Sequence, residues 1–157
     1  MKTKTNAMRM LDSANIQYGT CEYEVDEDDL SGVHLAESLG VDVSLVFKTL
    51  VARGERSGIH VFVIPAAEEL DLKKCAAAAG DKRFEMIHVK ELLPLTGYIR
   101  GGCSPVGMKK KYPTYIDAAA FRHERIYVSA GQRGVQLIVN PQELADYIGA
   151  RRAELTK

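Results

Sequence analysis

The fold is decided by one stretch of the sequence, LVFKTLVARGERSGIHVFVI, which covers residues 45–64. The stretch contains two runs, 45–52 and 59–64, that are rich in β-branched residues and apolar on both faces. Such runs are typical of strands that are buried on both sides. Because a glycine-containing turn separates them, we expect two adjacent strands of a central sheet rather than an exposed hairpin.

Helical and extended patterns alternate on both sides of this stretch. Apolar stripes behind capping residues predict helices over 7–14, 32–39, 72–79, 89–95 and 141–148. Further strands are predicted over 18–24, 84–88, 114–116, 126–129 and 135–139. Since no linker, repeat or shift in composition divides these elements, we expect a single α/β or α+β domain over 1–157 with a mixed sheet.

The charge balance excludes several classes of protein. The 157 residues include 21 Lys+Arg against 21 Asp+Glu, with 46% hydrophobic and 27% charged residues. This balance is ordinary for a globular domain and excludes collagen, coiled coil and disorder. A net charge of zero also argues against a protein that wraps long nucleic acid, although not against one that touches only its end.

The cysteines and apolar runs indicate a cellular compartment. Cys21, Cys75 and Cys103 are too few for a closed disulfide framework and show no C-x-x-C spacing, which fits a reducing environment. Cys75 lies on the apolar stripe of a predicted helix, so we assign it to packing. No secretory signal follows Met1, and no apolar run is long enough for a bilayer, so a soluble, cytoplasmic protein is expected.

Lys48 is the most informative single residue. It stands between Val46 and Leu50 on one face of the first apolar run. A lysine in that place either extends to solvent at the sheet edge or points into a cleft. Proteins rarely keep a buried, unpaired ammonium without a use, because desolvation of the charge is costly. The residues alone leave both possibilities open.

A glycine-rich segment, residues 96–107, is the second candidate. It holds four glycines and a proline in twelve residues, and Gly101-Gly102 could expose backbone N–H groups to an oxyanion, carboxylate or phosphate. Two sharper motifs fail, because Met108 replaces the lysine of a P-loop and Pro105 breaks the pattern of a nucleophile elbow. A tight structural connection remains the alternative.

The remaining polar residues give weaker indications. Cys103 has no histidine near it in sequence to activate it, and the four histidines lack metal-ligand spacing, so no metal is expected. The acidic segment 22–29 is interpreted as a solvated loop. Basic residues could converge on a local rim or form a solvated face; they are Arg100, Lys109, Lys110, Lys111, Arg122, Arg125 and Arg133.

Three segments together are similar to a known family. Phe47-Lys48-Thr49-Leu50, the segment 96–107 and the segment 127–134 occur in the order and at the spacing of the YbaK-type aminoacyl-tRNA deacylases. These belong to a superfamily of free-standing and synthetase-inserted prolyl-tRNA editing domains. The resemblance covers nearly the whole chain, and it implies a mixed or barrel-like sheet surrounded by helices.

The resemblance implies an activity and its partners. The best-matching branch removes cysteine from tRNA(Pro), and also acts on Cys-tRNA(Cys), through attack of the cysteinyl thiol on its own ester carbonyl. No cofactor is implied. The expected partners are the aminoacyl-tRNA 3′ end and prolyl-tRNA synthetase, with neither a membrane nor DNA. Sister branches act on Ala- or Ser-charged tRNA, and a non-catalytic module that binds the tRNA end or a synthetase is a further alternative.

The resemblance also assigns roles to residues. Lys48 matches the lysine that orients the aminoacyl-adenosine end, and the loop would hold the substrate through Gly101, Gly102, Ser104 and Pro105. Ser129 matches a pocket serine, Tyr23 an aromatic residue of the pocket wall, and Thr49 is a further candidate. Cys103 occupies a position that is aliphatic in the family.

Overall fold

Helices and strands alternate along the chain as the sequence predicts. The computed structural model describes residues 4–157. Its helices are α1 (Asn6–Ser13), α2 (Gly32–Leu39), α3 (Leu72–Ala79), α4 (Val89–Thr96) and α5 (Pro141–Ile148). Its strands are β1 (Gly19–Glu22), β2 (Phe47–Gly54), β3 (Gly58–Pro65), β4 (Phe84–Met86), β5 (Thr114–Asp117), β6 (Ile126–Ser129), β7 (Val135–Val139) and β8 (Arg151–Ala153).

The strands form two sheets that share an apolar core. A five-stranded sheet has the order β4-β2-β3-β5-β8, and a three-stranded sheet has the order β1-β7-β6. The larger sheet is mixed, because β2 pairs antiparallel with β3 and β4, whereas β3–β5 and β5–β8 are parallel. A single parallel bridge between Val46 and Tyr127 connects the sheets.

Residues 45–64 form two strands of the larger sheet, as the sequence predicts. β2 and β3 are the second and third strands of the larger sheet, so the expectation of adjacent central strands is confirmed. They are consecutive in the chain and form a buried hairpin. The sequence did not predict that β1, β6 and β7 would separate into a second sheet, nor that Arg151–Ala153 would form a strand. β8 is short, and both of its arginines are exposed, so no apolar pattern marks it.

Two large apolar clusters, and a small third one of Ala36, Val46 and Ala66, stabilise this arrangement. The larger cluster packs α1 and α5 against the three-stranded sheet, with Met8, Leu11, Leu137 and Leu144 among its fully buried members. Full burial of a side chain of this size stabilises the fold by roughly 1.5–3 kcal/mol. The second large cluster packs α3 on the other sheet and contains Cys75, which is 0% exposed, as its assignment to packing predicts.

Helix ends follow the capping signals in the sequence. The side chains of Ser31, Asp71 and Asn140 accept hydrogen bonds from backbone N–H groups in the first turns of α2, α3 and α5. Gly40 and Gly149 end α2 and α5 with positive φ values of 69° and 68°. None of the helices within residues 4–157 is long and apolar enough to cross a membrane.

Asp81 stabilises the turn between β2 and β3 through hydrogen bonds. Its carboxylate accepts hydrogen bonds from the backbone N–H groups of Ser57 and Lys82 at 2.9 and 2.6 Å, and from the N–H of Arg56 at 3.2 Å. The Ser57 hydroxyl also donates to it. These donors stabilise the charged form and hold the pKa of Asp81 below its usual range, with the Ser57 hydroxyl as the largest cause.

We predict that Asp81→Asn lowers the melting temperature at about pH 7, because an amide oxygen accepts these bonds less strongly than a carboxylate. An aspartate with a depressed folded-state pKa adds stability above its unfolded pKa, about 3.9, and this is lost as pH falls through the folded-state pKa. The difference between variant and wild type should therefore shrink in acid. Thermal unfolding followed by circular dichroism at several pH values measures it.

Asp146→Asn is the matched control. Asp146 accepts a hydrogen bond from Gln142 on the surface of α5, away from any turn. Its replacement should leave the melting temperature nearly unchanged. Equal losses for the two variants would contradict the assigned role of Asp81.

Candidate active site

A cavity of about 540 Å³ lies where the two sheets meet. This volume is within the usual range of small-ligand sites, roughly 300–1,000 Å³. Its walls come from β2, the beginning of α2, the β4–α4 connection, the glycine loop and the facing ends of β6 and β7. Among the lining residues are Lys48, Thr49, Gly101, Cys103, Ser129 and Gln136. A larger hollow of about 1,080 Å³ beside α1 and β1 includes none of the site residues that the sequence predicts.

Three of the polar residues that line the cavity lie close to the junction of the two sheets. The Val46–Tyr127 bridge is parallel, so two residues further along β2 and β6 come Lys48 and Ser129. Ser129 stands directly opposite Gln136 in the antiparallel pair β6–β7. The junction of the sheets therefore brings a cation, a hydroxyl and an amide to one side of the cavity.

Lys48 lies in the cavity wall and is half-buried. Burial is the largest influence on its ammonium group and lowers its pKa below the ordinary value, whereas attraction to Glu69 and Glu68 raises it. Glu69 is itself ion-paired with Lys157, at 3.2 Å between Oε2 and Nζ. Of the two possibilities for Lys48, extension to solvent at the sheet edge or a place in a cleft, the structure shows the second. The partly dehydrated cation is suited to an oxygen-rich ligand.

The glycine loop contributes one of its two central glycines to the cavity. Gly101 lines the cavity and has a φ of +83°, a backbone conformation that residues with a side chain rarely adopt. Gly102 lies behind it, and its N–H donates to the carbonyl of Ile99 at 2.9 Å. A Cβ on Gly102 would lie 3.1 Å from the backbone nitrogen of Arg133, so glycine permits close approach of the loop to the turn after β6.

Three other residues assigned by the resemblance lie outside the cavity lining. Ser104 is 0% exposed, and its hydroxyl accepts a hydrogen bond from the N–H of Val106 within the loop. Pro105 is buried beside it. Tyr23 is half-buried, and its N–H donates to the carbonyl of Gly134 at 3.0 Å. The structure thus places Ser104 and Pro105 as supports of the loop and Tyr23 next to the turn that the loop contacts.

Arg133 joins the segments around the cavity mouth. Its Nε donates to the carbonyl of Arg100 at 2.8 Å, and its guanidinium also pairs with Glu27 of the acidic segment. Asp28 and Asp29 of that segment line the cavity together with Arg100. The acidic segment is therefore more than the solvated loop expected from the sequence, and the mouth carries charges of both signs.

Most of the basic residues do not converge on this mouth, where Arg100 and Arg133 are in contact. Lys109–Lys111 are absent from the lining among the described residues, and a Cβ on Gly149 at the end of α5 would lie 3.7 Å from Nζ of Lys111. Arg125 lies at the separate hollow beside α1. Of the seven basic residues singled out in the sequence, Arg100 reaches the cavity.

Cys103 lines the cavity as a buried thiol. It is 8% exposed, and burial raises its pKa to about 12. A thiol in this state is overwhelmingly protonated near neutral pH and is a poor nucleophile. The geometry therefore supports the inert interpretation of Cys103.

Two buried polar atoms in the lining lack hydrogen-bond partners within residues 4–157. They are Oγ1 of Thr49 and Oε1 of Gln136. Thr49 was predicted from the sequence, and Gln136 was not, although a polar residue between Val135 and Leu137 in an apolar strand is the same signal that marked Lys48. Within the described residues no group of three or more His, Cys, Asp or Glu is arranged to hold a metal ion.

The thiols offer a direct check of this geometry. We predict that iodoacetamide at about pH 8 modifies Cys21, which is partly exposed, and spares the buried Cys75 and Cys103, whose pKa values are raised to about 12. Peptide mass spectrometry of the native protein measures this pattern. All three thiols should react in denaturant, and rapid native modification of Cys103 would contradict the buried site.

The fold and the cavity describe a small α/β domain with a polar site, and comparison with known proteins identifies its family. Residues 31–147 match the family model of the aminoacyl-tRNA editing domain. A protein of Enterococcus faecalis (strain ATCC 700802 / V583), named as a candidate Cys-tRNA(Pro)/Cys-tRNA(Cys) deacylase, EbsC, is 48% identical over 153 residues, which are 98% of this chain and 93% of that protein. The chain belongs to the aminoacyl-tRNA editing domain family.

Two further comparisons concern the fold and the synthetases. A solved structure described as a candidate trans-editing enzyme for prolyl tRNA synthetase has a TM-score of 0.81 at 23% identity, over 99% of both chains. This likeness confirms the predicted mixed α/β fold. A proline–tRNA ligase of Thermosipho africanus (strain TCF52B) is 34% identical over 76 residues, which are 48% of this chain and 13% of the ligase. The resemblance to YbaK-type aminoacyl-tRNA deacylases is confirmed, and with it the class of enzyme.

Proposed function

We propose that this protein is a trans-acting deacylase that removes mischarged cysteine from tRNA(Pro), and that it also acts on Cys-tRNA(Cys). The observation that carries the proposal is Lys48, a partly dehydrated cation in a cavity of about 540 Å³. The name of the Enterococcus relative supports the choice of substrate. The matched segment of the proline–tRNA ligase supports an association with prolyl-tRNA synthetase.

Lys48 and its neighbours position the ester. An aminoacyl ester is already activated, so orientation and stabilisation of the developing oxyanion can supply most of the rate increase. In the proposed complex Lys48 faces the ester carbonyl oxygen or an adjacent phosphate. The hydroxyl of Thr49, the next residue along β2, lacks a partner within residues 4–157 and lines the same cavity. Gly101 and Ser129 line the space around the aminoacyl group.

The chemical step in this proposal uses the thiol of the substrate. The cysteinyl sulfur attacks its own ester carbonyl, a C–S bond forms, and the bond between the carbonyl carbon and the ribose oxygen breaks. The thiol proton passes to the ribose oxygen, which leaves as a hydroxyl, and the amino acid leaves as a cyclic thiolactone. The buried, protonated state of Cys103 supports a mechanism without a protein nucleophile.

The whole chain, 1–157, acts in this proposal as one editing unit in the cytoplasm. With 21 Lys+Arg against 21 Asp+Glu, and with only Arg100 and Arg133 of the predicted basic rim near the cavity among the described residues, it binds the tRNA 3′ end weakly. Binding of the isolated protein should depend on salt and select little among tRNA bodies. Selection then rests on the amino acid and on the synthetase.

A substrate panel tests the proposed activity. We predict that the purified protein releases the amino acid from Cys-tRNA(Pro) faster than from Ser-tRNA(Pro) or Ala-tRNA(Pro), since a hydroxyl is a poorer nucleophile and alanine has none. Release of radiolabel under single-turnover conditions measures this. Equal turnover of the serine ester would contradict thiol attack and favour the sister activities. No turnover of any ester would favour a non-catalytic tRNA-end module.

Substitution of Lys48 tests its role. We predict that Lys48→Met lowers kcat/KM by about 10²–10³, the usual cost of removing one oxyanion-stabilising group. Its melting temperature should stay equal or rise, because methionine fills similar space without a dehydrated charge. Lys73→Met, on the exposed face of α3, is the control and should keep wild-type activity. Parallel loss of stability and activity in Lys48→Met would contradict a direct role.

A further inference from the structure

Gln136 carries an inference about substrate recognition. It is 2% exposed and lines the cavity, and its Oε1 has no hydrogen-bond partner within residues 4–157. We propose that this oxygen accepts a hydrogen bond from the α-amino group of the aminoacyl ester, which makes Gln136 a specificity-determining residue. The proposal rests on the proposed function, because it deepens the description of the same site.

The location of Gln136 explains why its side chain lies at the cavity. In β7 the flanking residues Val135 and Leu137 belong to the core cluster, 4% and 0% exposed. Side chains alternate between the faces of a strand, so Gln136 stands on the face opposite that core. β7 is the middle strand of its sheet, so the strands on each side hold the position of the amide.

The strand neighbours of Gln136 do not satisfy its oxygen. Ser129 is directly opposite on β6, and its hydroxyl oxygen accepts the N–H of Gly131 at 3.2 Å, but its own proton is not bonded to Oε1 of Gln136. Cys21 is opposite on β1 and has only a weakly donating thiol. A buried acceptor without a partner costs roughly 1–3 kcal/mol, so a donor from a ligand recovers that energy and a ligand without the donor does not.

The chemistry of the substrate identifies the donor. The amino acid part of a cysteinyl ester carries two donors, the α-amino group and the thiol. The thiol donates weakly and must turn towards the ester carbonyl in the proposed reaction. The α-amino group donates strongly whether it is an amine or an ammonium, and a neutral amide oxygen accepts from both forms.

The order of the strands fits this assignment. Ser129 and Gln136 are paired across β6 and β7, and Lys48 follows the Val46–Tyr127 bridge that joins the two sheets. An aminoacyl group can then place its carbonyl towards Lys48 and its amino group towards Gln136, away from the positive charge of the lysine.

Binding of two stable analogues tests the proposal without turnover. One is the cysteinyl amide of 3′-amino-3′-deoxyadenosine, and the other is its 3-mercaptopropionyl counterpart, which lacks only the α-amino group. Isothermal titration should show that the wild-type protein prefers the first by roughly 10-fold or more. Gln136→Met should lose this preference by weakening the first complex alone, whereas Gln136→Glu should keep it.

The control variant is Gln142→Met, which alters an exposed glutamine on α5 and should behave as the wild type. Equal weakening of both complexes in Gln136→Met would overturn the proposal, because it would indicate a merely steric role. An unchanged preference, or a wild-type protein that binds neither analogue, would also overturn it. Turnover of Cys-tRNA(Pro) by the wild-type protein would still uphold the proposed function, so the two failures are distinguishable.

Discussion

The contact between the two sheets is the constraint on which the site depends. Val46 and Tyr127 form the single bridge there, and Val46 is 1% exposed. Beyond this bridge β2 and β6 belong to different sheets, and Lys48 and Ser129 line the cavity between them. The site is therefore a consequence of how the sheets meet, and the apolar clusters on either side hold that geometry.

The sequence predicted most elements because their signals are local. Capping residues such as Ser31 and Asn140, with glycines after the last turn, defined the helices closely. The division into two sheets was missed because it depends on which strands find partners across the fold, and no local pattern records that. Strand β8 was missed for a related reason, since its pairing with β5 determines the conformation of Arg151–Ala153.

The residues of the site were predictable where a polar side chain interrupts an apolar strand. Lys48 is such a residue, and so is Gln136. Gln136 was overlooked because an uncharged amide in an apolar strand is less conspicuous than a charged side chain. The roles of Gly102 and Ser104 could not be separated from that of Gly101 in sequence. The structure separates them, because the Gly102 N–H is bonded to Ile99 and the Ser104 hydroxyl accepts the Val106 N–H.

A cavity that holds a half-buried cation and a protonated thiol, with no activated nucleophile identified within residues 4–157, suits a reaction in which the substrate attacks itself. The most direct measurement is rapid-quench mass spectrometry of the protein and the products during one turnover of Cys-tRNA(Pro). The account predicts cysteine thiolactone as the first product, with the protein mass unchanged. An aminoacyl adduct on Cys103 or Ser129, or free cysteine as the first product, would contradict it.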